Sequence, residues 1–308
     1  MKRIAVLDLG TNTFNILIAE ADEKDYTILH SGKRPVKLGE GGINRGEIIP
    51  TAIARGLKAI EEYAQIIRQY KVTELKAFGT SALRSASNGY LLTDAIREST
   101  GIEVEIVSGD REAELIYLGV RQTLLLNNKK FLILDIGGGS NEFIVADTHR
   151  IYWKKSYNLG IARLLERFKP SDPIAIEEEN EIRNYVQYEL RDLLEVLQHN
   201  SIDTLVGASG SFETFAHLIS NTEAIETQGE TEAISKEIPL SQFYKLHAML
   251  SASTKQERGL MKGMEPMRIE MIVLASLFVK ILFENHTFTT LYQSNFSLKE
   301  GAAYEMVN

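Results

Sequence analysis

The sequence repeats one pattern at two places far apart in the chain, an apolar run that ends in an aspartate and leads into a turn of small residues. The turns are residues 8–13 (DLGTNT) and 135–140 (DIGGGS), and apolar runs flank them at 4–7, 14–19, 131–134 and 143–146. Each copy predicts a strand, a tight turn and a second strand. Glycine tolerates positive φ and lets the backbone come close to a ligand, so that successive N–H groups can converge on anionic oxygens. One such turn in each half predicts a duplicated fold that binds a phosphate between its halves.

The bulk composition is that of an ordinary globular protein with more than one domain. A length of 308 residues favours two domains, and 44% hydrophobic with 25% charged residues is typical of a globular chain. The chain contains no cysteine, which excludes disulfides, thiolate catalysis and cysteine-bound metals. The net charge of −8 argues against a nucleic-acid polymer as partner, and it implies that an anionic ligand is held by metal ions or a local basic patch.

We expect a cytoplasmic protein that does not bind a membrane. Asp8 interrupts the N-terminal apolar run before it reaches the length of a signal peptide. The longest apolar stretch, residues 271–283, contains Lys280 and is too short to span a bilayer.

Strand-like and helix-like patterns alternate along the chain, which indicates an α/β architecture. Besides the two hairpins, we predict strands at 26–30, 34–38, 75–79, 103–107, 151–157 and 204–206, and helices at 51–70, 88–100, 111–125, 175–199, from 212, at 267–284 and at 298–306. The polar stretch 227–237 is predicted to be a loop. The predicted domains are residues 1–125, joined by the closing helix 298–308, and residues 126–297, with a broad cleft between them.

Three acids suit the hydrolysis of a phosphoanhydride, which needs charge neutralisation, an oriented water and a base. Asp135 and Glu142 flank the second glycine turn from opposite strands, so their carboxylates can converge on Mg²⁺. The alternative is that Asp135 caps the turn and Glu142 is an exposed strand residue. Glu112 follows a strand and a glycine, in a first helical turn whose side chains project into a cleft. The alternative for Glu112 is a helix-dipole or capping partner.

Motifs along nearly the whole chain resemble those of the Ppx/GppA phosphatases, the exopolyphosphatases and guanosine pentaphosphate phosphohydrolases of the actin-like ATPase superfold. The matching segments are residues 8–15, 79–84, 108–113, 135–142, 158–160, 207–211 and 298–301. The resemblance implies an α/β fold of two RNase H-like domains with an interdomain cleft. It implies that Glu112 is the general base for water and that Arg84 binds phosphate. It also implies that Asp135 and Glu142 hold the divalent metal.

We therefore predict a metal-dependent phosphohydrolase that releases the terminal phosphate of inorganic polyphosphate or guanosine pentaphosphate (pppGpp). Mg²⁺, or another divalent cation such as Mn²⁺, is expected at Asp8, Asp135 and Glu142. The predicted phosphate-binding residues are Gly10, Thr11, Asn12, Arg84, Gly137, Gly138, Gly139, Ser140, Gly210 and Ser211. The expected partner is polyphosphate or guanosine penta- or tetraphosphate as ligand, and the sequence is compatible with a homodimer. Two alternatives stay open, an ATP-dependent small-molecule kinase of the same superfold and a non-catalytic sensor of polyphosphate or alarmone.

The sequence departs from the family pattern at three places. Arg111 stands where family members commonly carry an acid, and residues 268–270 read Arg-Ile-Glu where the family often shows arginine, a small residue and aspartate. Features of the additional HD-like region of longer members are not expected here.

A basic rim is predicted on the first domain to capture the polyanion. Strand alternation places Lys33 and Lys37 on one face and Arg34 on the other, and one of these faces is expected to join Arg84 and Arg111.

Overall fold

The computed structural model describes residues 2–124, 129–222 and 235–308. Its first sheet has the strand order β3-β2-β1-β4-β5. The strands are β1 (Lys2–Leu9), β2 (Thr13–Ala21), β3 (Tyr26–Pro35), β4 (Glu74–Gly79) and β5 (Glu105–Ile106). β1, β2 and β3 form an antiparallel meander, and β4 and β5 run parallel to β1.

The second sheet repeats the topology of the first. Its strands are β6 (Phe131–Ile136), β7 (Asn141–Ala146), β8 (Ile151–Tyr157), β9 (Thr204–Ala208), β10 (Ser235–Glu237) and β11 (Thr290–Ser294), in the order β10-β11-β9-β6-β7-β8. The strands β6, β7 and β8 form the meander, and β9 and β11 run parallel to β6. β10 adds an antiparallel strand at the edge. The duplication predicted from the two aspartate-containing turns is thus present in the sheets, and the predicted α/β fold of two RNase H-like domains is confirmed.

Helices cover both sheets and fill the space between them. They are α1 (Pro50–Gln69), α2 (Ser81–Ser85), α3 (Gly89–Thr100), α4 (Gly109–Val120), α5 (Ile161–Phe168), α6 (Ile176–Glu189), α7 (Arg191–Gln198), α8 (Gly210–Thr222), α9 (Leu240–Ala252), α10 (Lys255–Leu260), α11 (Ile272–Asn285) and α12 (Leu298–Val307). α1 and α3 pack on the outer face of the first sheet, and α5 to α9 with α11 pack on the outer face of the second. α4 and α12 lie between the sheets. We call β1–β5 with α1–α3 the first domain and β6–β11 with α5–α11 the second domain.

The apolar runs before the two turns are the central strands, buried on both faces. In β1, Ile4 and Val6 face the core between the sheets, whereas Ala5, Leu7 and Leu9 face α1 and α3. In β6, Phe131 and Ile133 face inward, and Leu132 and Leu134 face the outer helices. A strand with helices on both faces reads as a continuous apolar run rather than an alternation.

Two glycines allow α4 and α12 to come into backbone contact. A Cβ atom on Gly119 would collide with the carbonyl of Ser297, and one on Gly301 would collide with the carbonyl of Leu115. This contact brings the start of α12, with Lys299 and Glu300, to the carboxyl ends of the central strands.

Some elements differ from their predicted bounds. The segments 26–30 and 34–38 belong mainly to one strand, because β3 pairs with β2 from Tyr26 to Pro35 across a bulge at Ile18 and Ala19. The helix predicted at 175–199 is divided at Leu190, whose ψ of 11° leaves helical geometry.

Other predicted bounds are shifted or lie outside the described residues. The helix predicted from residue 267 begins at Ile272, because Pro266–Arg268 forms a 3₁₀ turn first. Of the predicted loop at 227–237, residues 227–234 lie outside the described residues. Residues 235–237 form the strand β10 instead of a loop. The boundary at 125/126 also lies outside the described residues, and the domain limits stay a prediction. Within the described ranges, no helix has the length and apolar character needed to cross a membrane.

Candidate active site

A cleft of about 690 Å³ lies between the two domains, where the central strands of both sheets end. In parallel and mixed α/β sheets, the carboxyl ends of the strands are the usual place for a ligand. Most of the predicted site residues line this cleft, namely Asp8, Gly10, Thr11, Asn12, Glu112, Asp135, Gly137, Gly138, Gly139, Ser140, Glu142 and Gly210. The structure therefore brings together residues more than 200 positions apart in the sequence.

The carbonyl groups of the second glycine turn are all held from behind by the start of α5. The N–H of Ile161 donates to Gly137 O (3.0 Å), the N–H of Ala162 donates to Gly138 O (2.8 Å), and Nε of Arg163 donates to Gly139 O (2.8 Å). In a trans peptide the N–H of the next residue points away from the carbonyl. The N–H groups of Gly138, Gly139 and Ser140 are thereby turned towards the cleft.

The first turn uses the same arrangement with a different segment behind it. Asn12 O accepts from the N–H groups of Val36 (2.8 Å) and Lys37 (2.9 Å), and Thr11 O accepts from the N–H of Gly39 (3.1 Å). The N–H groups of Asn12 and Thr13 are turned to the opposite side. Two sets of backbone donors thus face one cleft, which is the geometry of an anion site.

Two buried hydroxyl groups lie between the turns. Within the described part of the chain, Thr11 Oγ1 and Ser81 Oγ have no hydrogen-bond partner. A Cβ atom on Gly139 would lie 2.5 Å from the first and 2.6 Å from the second, so both hydroxyls surround this glycine. Buried polar atoms are nearly always paired in folded proteins, and these two are placed to bind a ligand oxygen. Ser81 was not among the predicted site residues, although it lies in the motif at 79–84.

The two hairpins place their acids by strand register. Asp135 lies directly opposite Glu142 in the β6–β7 ladder, and Asp8 lies opposite Asn15 in the β1–β2 ladder. Directly opposite residues of an antiparallel pair project from the same face. Asp135 accepts from Ser297 Oγ (2.5 Å) and Glu142 accepts from Ser156 Oγ (2.6 Å).

Burial shifts the titration of these carboxyl groups towards the protonated form. It raises the pKa of Asp8 to about 6, against a hydrogen bond from Asn15, and it raises the pKa of Asp135. Burial, and then the charge of Asp135, raise the pKa of Glu142 to about 7. Burial thus disfavours the ionised form of all three carboxyl groups.

Glu112 is buried at the cleft end of α4, where it contacts an arginine. Nη1 of Arg84 donates to Glu112 Oε2 (2.7 Å) and also to Val107 O (2.9 Å). Burial, followed by the charge of Glu142, raises the pKa of Glu112 well above its ordinary value, and Arg84 opposes this shift. The N-cap of α4 is Ser108, which accepts from Arg111 N–H (3.1 Å), so Glu112 is not needed as a cap.

Lys299 and Arg268 also line the cleft and were missing from the predicted site. Lys299 is partly buried beside the buried Glu300, with 2.6 Å between Nζ and Oε1. Arg268 lies against Gly210 at the start of α8, and within the described residues its buried Nε has no hydrogen-bond partner. The motifs at 298–301 and 268–270 were the sequence signals for these residues.

Three predicted residues lie differently from the rest. Ser211 is buried in α8 behind Gly210 and does not line the cleft. Arg84 lies behind Glu112 rather than on the cleft wall. Arg111 turns away and forms ion pairs with Glu114 and Glu305, so its predicted place in a basic rim is wrong.

The strand alternation predicted for the rim is confirmed for Lys33 and Arg34, whereas Lys37 lies beyond the end of β3 with a φ of 49°. Lys33 and Lys37 face the second domain, where Lys37 pairs with Glu270 (3.1 Å). Arg34 faces the opposite way and pairs with Glu62 of α1 (3.1 Å).

Asp135 and Glu142 fit a hard divalent cation. They are two buried carboxylates of one hairpin whose charges disfavour each other, and a cation between them would relieve this repulsion. Among the residues that the structure describes, no three acidic or histidine side chains come close enough to enclose a metal ion. Mg²⁺ characteristically takes one or two carboxylates and fills its remaining positions with water and phosphate oxygens.

Comparisons with known proteins place this arrangement in a family. The family model of the Ppx/GppA phosphatases matches residues 17–308. Exopolyphosphatase 1 of Mycobacterium tuberculosis is 28% identical over 97% of the chain and 86% of its own length. The guanosine-5'-triphosphate,3'-diphosphate pyrophosphatase of Photobacterium profundum is 26% identical over 99% of the chain and 59% of its own length.

A solved structure agrees in both sequence and fold. The crystal structure of an exopolyphosphatase from Cytophaga hutchinsonii superposes with a TM-score of 0.96 at 35% identity, covering 99% of this chain and 98% of that one. A Ppx/GppA protein from Aquifex aeolicus shares the fold with a TM-score of 0.80 at 23% identity, covering 99% and 97% of the two chains. The chain belongs to the Ppx/GppA phosphatase family.

Proposed function

We propose that this protein releases the terminal phosphate of inorganic polyphosphate or of guanosine pentaphosphate by attack of a water molecule. One observation carries the proposal. Two turns from different domains have their carbonyls held from behind, and they face each other across a cleft that contains a buried glutamate. Such a site binds a phosphoryl group on both sides and provides a base, which are the parts that phosphoanhydride hydrolysis needs.

We propose a role for each group of the cleft. The N–H groups of Asn12, Thr13 and Gly138 to Ser140, with the hydroxyls of Thr11 and Ser81, would hold the oxygens of the terminal phosphate. Donors fixed in advance stabilise the charge that develops in the transition state. Glu112 would take the proton of the attacking water, with its carboxylate held in place by Arg84.

Asp135 and Glu142 would hold Mg²⁺ or Mn²⁺, with Asp8 across the cleft. The cation would neutralise charge on the phosphate oxygens and orient them. The excess of buried carboxylates supports this assignment.

The cleft has room and positive charge for phosphates beyond the terminal one. Lys33, Lys236 and Arg268 line the same cleft. The relatives named as exopolyphosphatases and as a pppGpp-type pyrophosphatase support two linear phosphoanhydrides as substrates.

The test is phosphate release from short polyphosphate, long polyphosphate, pppGpp and ATP in parallel, with Mg²⁺, Mn²⁺ or a chelator. We expect release from polyphosphate or pppGpp, and loss of that release with the chelator. Transfer from ATP to an acceptor would favour a kinase instead. Binding of polyphosphate or pppGpp without release would favour a sensor.

A further inference from the structure

Arg163, in the first turn of α5, connects the second glycine turn to the first domain. Its Nε donates to Gly139 O (2.8 Å), its Nη1 to Ile43 O (2.8 Å) and its Nη2 to Ser85 Oγ (2.9 Å). A further hydrogen bond joins the same residue to the first domain, since Asn44 Nδ2 donates to Arg163 O (3.1 Å). One guanidinium thus binds three separate chain segments of two domains.

The acceptors of this guanidinium are two backbone carbonyls and one hydroxyl, none of them charged. Burial lowers the pKa of Arg163, and the charge of Glu166 opposes this shift. Guanidinium is planar and carries its donors in a fixed fork, so three acceptors are held in a set relation to each other. A side chain that served only to attach α5 would not need this arrangement.

The Gly139 carbonyl differs from its two neighbours in how it is held. Gly137 O and Gly138 O accept from backbone N–H groups of α5, which belong to the same domain. Gly139 O accepts from a side chain whose other donors contact the first domain. The orientation of the Gly139–Ser140 peptide therefore depends on the position of the first domain.

On the side of the first domain, the acceptor is part of α2. Ser85 Oγ donates to Ser81 O (2.7 Å), and Ser81 carries one of the two unpaired hydroxyls. Arg84, the neighbour of Ser85, holds Glu112. The guanidinium thus contacts the second glycine turn and α2, the helix that carries both Ser81 and Arg84.

We propose that Arg163 is a positioning residue, which fixes the Ser140 N–H towards the phosphate when the first domain is in contact with the second. The proposal rests on the proposed function. Arg163 itself does not line the cleft. Its loss should therefore lower the rate of the chemical step more than the binding of substrate.

The variants are Arg163→Ala, Arg163→Lys and Ser85→Ala, with Arg167→Ala as matched control. Arg167 lies one turn further along α5, exposed and stacked on the ring of Tyr185 at 4.2 Å, so its replacement removes the same charge from the same helix. Removing one fixed donor from a transition-state site typically costs about 10²- to 10³-fold in kcat. We expect about a 10²-fold loss of kcat for Arg163→Ala, with KM for polyphosphate within about three-fold.

The other variants distinguish geometry from charge. The kcat of Arg163→Lys should be close to that of Arg163→Ala, because one ammonium group cannot reach three acceptors. Methylguanidinium added to Arg163→Ala should restore part of the lost kcat. Ser85→Ala should show a smaller loss of kcat in the same direction. Wild-type kcat in Arg163→Ala or in Arg163→Lys, or a change confined to KM, would overturn the proposal.

A measurement independent of activity separates this proposal from the proposed function. In hydrogen–deuterium exchange, Arg163→Ala should increase exchange in the peptide that contains residues 137–143, while Arg167→Ala leaves it unchanged. Ser85→Ala provides the same readout from the other domain if Arg163→Ala does not fold. A wild-type protein that releases no phosphate would contradict the proposed function alone, whereas unchanged exchange at 137–143 would overturn the role of Arg163.

Discussion

At the scale of single residues, the two hairpins of the site differ in the residue that lies opposite the aspartate. Asp8 lies opposite Asn15, which donates to it (2.9 Å), whereas the equivalent Asp135 lies opposite Glu142. One hairpin thus presents an acid and an amide where the other presents two acids. Negative charge is concentrated on the second hairpin, and a divalent cation should depend on that hairpin most.

Replacing Glu112 by Gln should reduce kcat by about 10²- to 10⁴-fold, because the variant keeps the shape of the side chain but cannot accept a proton. The dissociation constant for polyphosphate, measured by calorimetry, should stay within about three-fold of the wild type. Glu114→Gln is the control, since Glu114 lies on the same helix but pairs with Lys154 and does not line the cleft. Wild-type turnover in Glu112→Gln would contradict the proposal that Glu112 is the general base.

Asp135→Asn and Glu142→Gln should each raise the Mg²⁺ concentration needed for half-maximal rate, because each removes anionic charge from a hard-cation site. The measurement is a titration of initial rate against Mg²⁺ at saturating substrate. Asp147→Asn is the control and should leave the Mg²⁺ titration unchanged. Asp147 lies at the far end of the same hairpin, where its carboxylate accepts hydrogen bonds from residues 149, 150 and 152. Superimposable titrations for all three variants and the wild type would mean that Asp135 and Glu142 are structural.

At the scale of elements, α9 and α11 bury a histidine between them in the second domain. His247 Nδ1 lies 3.0 Å from Ser276 Oγ, and the side chain is nearly inaccessible. Burial, and then the positive charges of Lys280 and Arg183, lower the pKa of His247 from 6.5 to about 4. The folded protein therefore keeps this histidine neutral where an unfolded chain would protonate it.

This histidine should make the fold sensitive to acid. Between about pH 6.5 and 4 the unfolded state binds a proton that the folded state does not, so the free energy of unfolding falls as the pH falls, by up to roughly 3 kcal/mol. We expect His247→Gln to lose less stability than the wild type across this window in urea unfolding. His199→Gln, at an exposed histidine, should behave like the wild type. Equal pH slopes for His247→Gln and the wild type would contradict this assignment.

At the scale of the whole molecule, ion pairs bridge the mouth of the cleft. Lys33 Nζ lies 2.5 Å from Glu265 and 3.3 Å from Glu213, and Lys37 Nζ lies 3.1 Å from Glu270. These side chains are partly exposed, and such pairs are typically worth about 1 kcal/mol or less. They are also screened by salt. The mouth is therefore held weakly, and an incoming polyanion competes with Glu213 and Glu265 for Lys33.

The double variant Lys33→Ala and Lys37→Ala should widen the cleft at low ionic strength. Small-angle X-ray scattering should give it a larger radius of gyration than the wild type at about 20 mM salt, and the difference should shrink at about 500 mM, where screening weakens the wild-type pairs. Arg34→Ala is the control, because Arg34 pairs with Glu62 inside the first domain. Identical radii at low salt would show that these ion pairs do not hold the mouth.

Much of this site follows from local sequence. Apolar runs that end in an aspartate and small residues predicted both hairpins, because the alternation of a strand and the φ requirements of a turn depend on neighbouring residues alone. The same alternation separated Lys33 from Arg34 correctly. The position of Asp135 opposite Glu142 follows from a four-residue hairpin connection in the same way.

Other features were decided by tertiary structure. The sequence did not show that Arg111 turns to Glu305 on α12, that Ser81 meets Gly139, or that Arg163 holds a carbonyl of the second glycine turn. Each of these contacts joins residues from 24 to 194 positions apart. The direction of a helical side chain depends on which elements pack beside it, and loop closure over such distances is set by the whole fold. The turns and acids are therefore properties of the sequence, whereas their convergence on one cleft is a property of the packed domains.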